Sequence, residues 1–253
     1  MRELVHLMDS LILSIETATL GGSVCVSAGD KILATTAGDP KLSHSNTLLS
    51  DINRCLELAN AKVHDVKVFA AASGPGSFTG LRIGLATIKA LAATLQRPCI
   101  GVPTLQAIAH SAGPSDATVS LLPAGRGEVF VQLLSVRDEV NELDEAGHLP
   151  PARAIERYVN RDALKWVGPA TSTQRELIES AARERNINFQ VAALSEPAVP
   201  NNGWRLMEGQ TNLAAQVAAI ARGRFQNKKF DQAESLSAIY VRPSDAELKC
   251  NPA

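Results

Sequence analysis

The stretch Ser73-Gly-Pro-Gly-Ser-Phe-Thr-Gly80 separates two strongly apolar segments and decides how the first part of the chain is interpreted. A strand cannot continue through three glycines and a proline, so the stretch predicts a tight loop. Before it, Val66–Ala72 is a continuous apolar run with one lysine, which indicates a buried central strand. After it, apolar residues recur with helical spacing from about Gly80 to Leu95. The sequence therefore predicts a strand, a glycine-rich loop and a helix in succession.

The predicted helix carries two apolar stripes, whereas a surface helix normally buries one. The first stripe consists of Leu81, Leu85, Ile88, Ala92 and Leu95. The second stripe, whose small side chains allow close backbone approach, consists of Ile83, Ala86, Ala90 and Ala93. Two interpretations remain open. The helix is enclosed within its own domain, or it packs on its sheet with one stripe and on another protein with the second.

The loop also invites a phosphate-binding interpretation, because backbone N–H groups at the start of a helix attract anions. Its spacing, Gly74-x-Gly76-x-x-x-Gly80, does not match the dinucleotide fingerprint G-x-G-x-x-G. It is not a P-loop either, since no Lys-Ser or Lys-Thr pair follows the last glycine. Glycine-rich turns between a strand and a helix are common for steric reasons alone. The spacing favours a steric role over a phosphate site.

The segments around this unit predict further alternation of strands and helices. Upstream, a helix is expected from Ser43 to Ala59, and two strands form a hairpin around Gly29-Asp30. After Gly113-Pro114 the pattern begins again. The other expected strands are Leu11–Ile15, Ser23–Ala28, Lys31–Thr36, Cys99–Val102, Val119–Leu122, Val129–Val136, Leu164–Val167, Phe189–Ala193 and Ala238–Val241. The other expected helices are Thr104–His110, Ser172–Arg185 and Leu213–Arg224.

This order predicts an α/β protein with two lobes of βββαβα type. We expect an N-terminal lobe over residues 1–108 and a smaller α/β lobe over residues 109–210. A C-terminal helix and tail over residues 211–253 are expected to pack back on the N-terminal lobe.

Composition restricts the classes of partner. The formal net charge is −1, so the chain has no overall basic field for non-specific nucleic-acid binding. Aromatic residues make up 4% of the chain, fewer than a base-stacking surface needs in one place. The four cysteines, at positions 25, 55, 99 and 250, show no C-x-x-C spacing and are expected to be core residues in a reducing compartment. No run approaches the roughly 18 apolar residues of a membrane-spanning helix, so we expect a cytoplasmic protein without membrane contact.

Two motifs carry a resemblance to known proteins. The stretch Leu13-Ser-Ile-Glu-Thr-Ala-Thr19, followed by a glycine-containing turn, resembles the opening of the actin-like ATPase (ASKHA) fold. The stretch Gly74-Pro-Gly-Ser-Phe-Thr-Gly-Leu-Arg-Ile-Gly84 resembles the TsaB family, which acts in making threonylcarbamoyladenosine on tRNA. Supporting matches across the chain are His44-Ser45, Ile100-Gly-Val-Pro-Thr-Leu105, Gly127-Glu-Val-Phe130 and Ala238-Ile-Tyr-Val-Arg242.

The resemblance implies a non-catalytic scaffold. TsaB proteins resemble TsaD, the catalytic subunit, which binds a metal through a His-x-x-x-His pair. The matching positions here are Thr104 and Ile108, neither of which replaces imidazole as a metal ligand. We therefore expect no metal, no intrinsic cofactor and no catalytic residues, and we find no protease motif in the sequence. The sequence leaves open whether ATP or ADP binds at the interface of a complex.

The resemblance also implies partners. It implies binding to a TsaD-type subunit with the ATPase TsaE, a homodimer when the chain is alone, and contact with tRNA only through the complex. The first two helices of the family pack against the partner. The candidate partner-binding residues are Leu48, Leu49, Ile52, Leu56, Arg82, Ile83, Ala86, Ala90 and Ala93. The candidate glycine loop consists of Gly74, Pro75, Gly76, Ser77, Phe78, Thr79 and Gly80.

Two alternative functions stay open. An ATP-binding phosphotransferase of the ASKHA fold would use the glycine loop together with nucleotide-facing Glu16 and Thr17. A homodimeric module would bind an unrelated ligand between its lobes.

Overall fold

The computed structural model describes residues 11–194, 196, 202–209 and 212–241. The chain forms two compact units. Among the described residues, unit 1 comprises 11–107 and 212–239, and unit 2 comprises those from 108 to 209 together with 240 and 241.

Unit 1 is a five-stranded sheet with helices on both faces. Its strands are β1 (Leu11–Glu16), β2 (Ser23–Ala28), β3 (Lys31–Ala37), β4 (Val68–Gly74) and β5 (Cys99–Pro103). Its helices are α1 (His44–Leu58), α2 (Phe78–Leu95), α3 (Thr104–Ser111, which runs into unit 2) and α6 (Leu213–Gln226). The strand order is β3-β2-β1-β4-β5, in which β1, β2 and β3 form an antiparallel meander. Strands β4 and β5 add in parallel beside β1.

The pleat of β1 explains why both faces of this sheet are covered. Leu11, Leu13 and Ile15 enter one apolar cluster together with residues of α1 and α2. Ile12 points to the opposite side and joins a cluster that includes Val217 of α6. Alternate residues of a strand face opposite sides of its sheet, so an apolar run such as β1 needs helices on both sides.

Unit 2 repeats the same arrangement of a meander followed by parallel strands. Its strands are β6 (Ser115–Gly125), β7 (Glu128–Val136), β8 (Val140–Glu142), β9 (Gly147–Leu149), β10 (Leu164–Val167), β11 (Phe189–Ala193) and β12 (Trp204–Glu208). Its helices are α4 (Pro151–Glu156) and α5 (Arg175–Glu184). The strand order is β11-β12-β10-β6-β7-β8, with β9 also paired to β7. Trp166 and Trp204 pack together in the core, with ring centroids 5.1 Å apart.

Most predicted elements are confirmed; one predicted strand is wrong, and four elements, β8, β9, β12 and α4, were not predicted. The expected strand Ala238–Val241 is wrong, because none of these residues is part of a β-ladder; the segment is tied to β4 by the Ile239 N–H, which donates to the Ser73 carbonyl oxygen at 2.7 Å. Strand β12 was not predicted, because Trp204–Glu208 directly follows a segment rich in loop-forming residues. Arg242 of the quoted terminal motif and Cys250 lie outside the described residues.

Helix α2 departs from the expectation that no segment could span a membrane. It has the length and apolar composition to do so, a property it shares with core helices of globular proteins. Here Leu81, Leu85 and Ile88 are buried against the sheet of unit 1. The helix carries a second apolar stripe in addition to this buried one, and the two stripes together give it a high mean hydropathy.

Candidate functional site

The glycine loop packs directly against the β1–β2 connection. A Cβ atom on Gly80 would overlap the Thr17 carbonyl oxygen, and one on Gly84 would overlap the Thr17 hydroxyl oxygen. A Cβ on Gly76, which also has a φ of +158°, would lie 2.6 Å from the Ala18 carbonyl oxygen. The glycine spacing therefore serves the close approach of α2 to residues 17–18, as a steric role requires.

Backbone donors at the start of α2 are engaged within the chain. The Ser77 N–H donates to the Ala18 carbonyl oxygen at 2.8 Å. The Ser77 side chain caps the helix by accepting from the Gly80 N–H at 3.2 Å. Two of the amides that a phosphate cradle would use thus already have partners, so this geometry does not support a phosphate site.

The alternative in which Glu16 and Thr17 contact a nucleotide does not fit their environment, because both residues are buried. Glu16 is 1% exposed, and its carboxylate accepts from the Thr19 N–H at 2.7 Å and from the Thr19 hydroxyl at 2.8 Å. Burial raises the pKa of the Glu16 carboxyl group, an effect that the bonds from Thr19 oppose. Thr17 packs against Gly84 of α2. Glu16 therefore organises the β1–β2 connection.

His44 links this connection to the start of α1. Its Nε2 lies 3.0 Å from the Thr19 carbonyl oxygen, which can only accept, so Nε2 carries the proton of this bond. Beside it lies a shallow depression of the surface. Its lining residues are Thr19, Leu20, Gly21, Pro40, Leu42, Ser43, His44, Ser77, Thr79, Gly80 and Ile83.

The structure divides the candidate partner-binding residues into two groups. On α2, the exposed residues are Arg82, Ala86, Ala90 and Ala93, with Ile83 half-buried. On α1, Leu49 is 65% exposed. The assignment of Leu48, Ile52 and Leu56 to a partner surface is wrong, because all three are buried in the core of unit 1. The outward surface is therefore the small-residue stripe of α2.

The residues present do not fit the metal site of TsaD-type proteins. Thr104 and Ile108 lie one turn apart on α3, and both are buried. The Thr104 hydroxyl has no hydrogen-bond partner in the structure. Among the described residues, no three His, Cys, Asp or Glu side chains come together as metal ligands would.

The described cysteines are poor nucleophiles. Cys25, Cys55 and Cys99 are all buried free thiols. Burial raises the pKa of Cys25 to about 12 and that of Cys99 to about 11. A reactive thiol needs a lowered pKa and access to solvent, so these three residues act as core side chains.

Comparison with known proteins defines the class of this chain. The family described as TsaD, tRNA N6-adenosine threonylcarbamoyltransferase, matches residues 39–204, which is more than half of the sequence. The chain therefore belongs to this family. The more specific resemblance to TsaB, expected from the Gly74–Gly84 stretch, is confirmed by the following relatives.

The curated relatives include several TsaB proteins, each named a tRNA threonylcarbamoyladenosine biosynthesis protein. The protein from Bacillus subtilis is 27% identical over 172 residues, which cover 66% of this chain and 75% of the relative. The protein from Escherichia coli is 33% identical over 122 residues, which cover 47% of this chain and 52% of the relative. The chain thus spans about half the length of the Escherichia coli relative.

A solved structure confirms the expected fold. YeaZ from Pseudomonas aeruginosa superposes with a TM-score of 0.70 at 22% identity, covering 91% of this chain and 99% of YeaZ. Each of the two sheets consists of an antiparallel meander followed by parallel strands. This arrangement and the similarity to YeaZ together confirm the α/β ASKHA fold.

Sequence reasoning missed two exposed apolar residues that border the depression. Leu20 is 85% exposed at the β1–β2 connection, and Leu42 is 52% exposed before α1. The available signal was a large aliphatic residue within a tight glycine turn, Thr19-Leu-Gly-Gly22, where polar residues are usual.

Proposed function

We propose that this chain is a non-catalytic subunit in the biosynthesis of threonylcarbamoyladenosine on tRNA, and that it binds a TsaD-type catalytic subunit. The names of its TsaB relatives support the pathway. The observation that carries the binding role is the geometry of α2. One apolar stripe of this helix packs on its own sheet, and the second is exposed.

The exposed stripe suits a helix of another protein. Ala86, Ala90 and Ala93 carry one methyl group each, so a facing helix can approach closely. Their burial by a partner removes apolar surface from water without leaving polar groups unsatisfied. Leu49 of α1 adds a second exposed apolar residue on unit 1.

Three observations support a non-catalytic role. The positions of the implied metal ligands hold Thr104 and Ile108. The Glu16 carboxylate is occupied by Thr19, and the described thiols are buried. We therefore propose that chemistry takes place on the partner, and that this chain carries no cofactor of its own.

The remaining parts of the proposal follow from the same resemblance. The chain works with a TsaE-type ATPase, forms a homodimer when alone, and resides in the cytoplasm. Contact with tRNA takes place through the complex, in keeping with a net charge of −1. The interface of the complex is the proposed place for ATP or ADP.

Ala90→Arg tests the binding surface. Because Ala90 is exposed, the variant is expected to fold normally, but the arginine would prevent a partner helix from packing on the stripe. We expect its affinity for the TsaD-type protein to fall about 100-fold or more, about 3 kcal/mol of binding free energy. Ala152→Arg, at an exposed position of α4 in unit 2, is the matched control and should bind as the unmodified chain does.

Reconstitution tests the role itself. The TsaD-type protein, the TsaE-type ATPase, a threonylcarbamoyl-AMP synthase, ATP, threonine, bicarbonate and unmodified tRNA are combined with and without this chain. Mass spectrometry counts the modified adenosine. Modification should require this chain, and the chain without the TsaD-type protein should make none. Equal modification without the chain would exclude the proposed function, and normal binding by Ala90→Arg would exclude the α2 surface.

A further inference from the structure

The β1–β2 connection holds Leu20 in an exposed position. On one side of it, the Thr19 N–H and hydroxyl are bonded to Glu16, and the Thr19 carbonyl accepts from His44. On the other side, the Gly22 carbonyl accepts from the Gly38 N–H at 3.2 Å. The backbone on both sides of Leu20 is therefore fixed, yet its side chain is 85% exposed. An aliphatic side chain in this position adds nothing to the core of unit 1.

The depression beside Leu20 offers apolar surface and few unused polar groups. Leu20, Leu42 and Ile83 contribute aliphatic side chains to its lining. The Ser77 hydroxyl accepts from Gly80, the Ser43 and Ser45 hydroxyls bond each other at 2.9 Å, and His44 is bonded to Thr19. No lining residue is acidic. An apolar group therefore fits this depression better than a sugar or a nucleotide, which need several polar partners.

Arg82 lies beside the depression on α2, because Thr79, three residues earlier on the same helix face, lines it. The Arg82 guanidinium carbon lies 3.9 Å from the centroid of the Phe78 ring, one turn earlier on α2. Arg82 is exposed, and within the described part of the chain it forms no ion pair with a carboxylate. Its neighbour Ile83 lines the depression. Stacking on Phe78 limits the conformations of Arg82, so less entropy is lost when a ligand binds to it.

We propose that Leu20 and Arg82 form a recognition point for a segment of the partner protein that carries an aliphatic side chain next to a carboxylate. The aliphatic group enters the depression against Leu20 and Leu42, and the carboxylate pairs with the Arg82 guanidinium. This inference rests on the proposed function, because the occupant is the protein that covers the exposed stripe of α2. It adds the chemistry that selects this partner at the N-terminal end of α2.

Binding of the full chain to the TsaD-type protein, measured by calorimetry and by association kinetics, tests the recognition point. Leu20→Ser should raise Kd about 10-fold or more through lost apolar burial. Arg82→Gln should raise Kd by a similar factor and reduce the dependence of the association rate on salt between 50 and 500 mM NaCl, because steering by a charge is screened by ions. Both residues are exposed, so both variants should keep the fold. Lys31→Gln removes one positive charge at the β2–β3 turn and is the matched control.

The outcomes separate this inference from the proposed function. If Ala90→Arg abolishes binding while Leu20→Ser and Arg82→Gln bind as the unmodified chain does, the recognition point is excluded and the α2 surface stands. If Arg82→Gln and Lys31→Gln change the salt dependence equally, the role of Arg82 is excluded. If the unmodified chain does not bind the TsaD-type protein, both the proposed function and the recognition point are excluded.

Discussion

Lys165 shows how a single buried charge is accommodated in unit 2. Its side chain is 3% exposed, and the ammonium donates to the carbonyl oxygens of Ala112 at 2.9 Å and Pro114 at 2.8 Å. These carbonyls lie just beyond the end of α3, where the helix dipole favours a cation. Burial nevertheless lowers the pKa of Lys165, and the charge of Arg205 on β12 lowers it further.

This lowered pKa predicts a pH dependence of stability. The pKa of Lys165 is lower in the folded chain than its ordinary value of 10.5, so between these two values the unfolded chain binds more protons. The free energy of unfolding should therefore rise with pH through this interval, up to about pH 10.5. The free energy of unfolding of unit 2 is measured between pH 7 and 10 by urea unfolding, followed through the fluorescence of Trp166 and Trp204.

Lys165→Met provides the comparison, because it keeps the length of the side chain and removes the titration. The urea concentration at its unfolding midpoint should rise less with pH than that of the unmodified chain. Lys31→Met, at an exposed position, should keep the full dependence. Identical pH profiles for Lys165→Met and the unmodified chain would contradict this account of the Lys165 ammonium.

At the scale of elements, the contact between α2 and the β1–β2 connection sets the position of the proposed binding surface. Gly80 and Gly84 lie one turn apart on the inner side of α2, and both face Thr17. Any side chain there would push the helix away from the sheet. The same contact therefore fixes where the exposed stripe of α2 lies on unit 1.

Gly84→Ala should destabilise unit 1 by about 1–3 kcal/mol, because its Cβ would overlap the Thr17 hydroxyl. The cost should fall in a Thr17→Ala background, where the overlapping atom is absent, giving a favourable coupling in a double-mutant cycle. Denaturant unfolding followed by the helical circular dichroism signal measures all four chains.

Gly223→Ala is the matched control, since Gly223 lies on α6 with no atom within 4 Å of an added Cβ. It should stabilise the chain by about 0.5–1 kcal/mol, because alanine is the better helix former. Equal effects of Gly84→Ala in the two Thr17 backgrounds would show that the Thr17 contact does not limit the helix position.

At the scale of the whole molecule, unit 1 is built from two separate parts of the sequence. Helix α6 covers one face of its sheet, where Val217 and Ala221 join the cluster that contains Ile12. The contact between β1 and α6 also includes a hydrogen bond, from the Ser14 hydroxyl to the Ala214 carbonyl oxygen at 2.7 Å. The sheet of unit 1 therefore depends on residues that follow unit 2 in the sequence.

A chain that ends at residue 211 should lose the structure of unit 1, because the apolar face of β1 and β4 would be exposed to water. Hydrogen exchange should show loss of protection in β1 and β4, while the fluorescence of Trp166 and Trp204 in unit 2 is retained. A chain that ends at Val241 keeps α6 and should retain protection throughout unit 1. Protected β1 and β4 amides in the shorter chain would contradict the requirement for α6.

Local sequence signals determined the elements whose structure depends on near neighbours. The Gly29-Asp30 pair predicted the β2–β3 hairpin, and the structure pairs Ala28 with Lys31 across it. The glycine-rich stretch predicted the break between β4 and α2, which the structure confirms. Turn formation and helical periodicity depend on residues within a few positions of one another, so a single sequence suffices to predict them.

Only the tertiary structure decided which surfaces and polar groups are accessible. Both stripes of α2 are apolar, and the sequence left open which one faces the sheet; packing against β1 and β4 buries Leu85 and exposes Ala90. The alternative phosphotransferase function would place Glu16 against a nucleotide, but the oxygens of Glu16 are occupied by Thr19 three residues away. Burial and the position of a partner depend on residues distant in sequence, so periodicity predicts that a helix has two apolar faces but not which of them is covered.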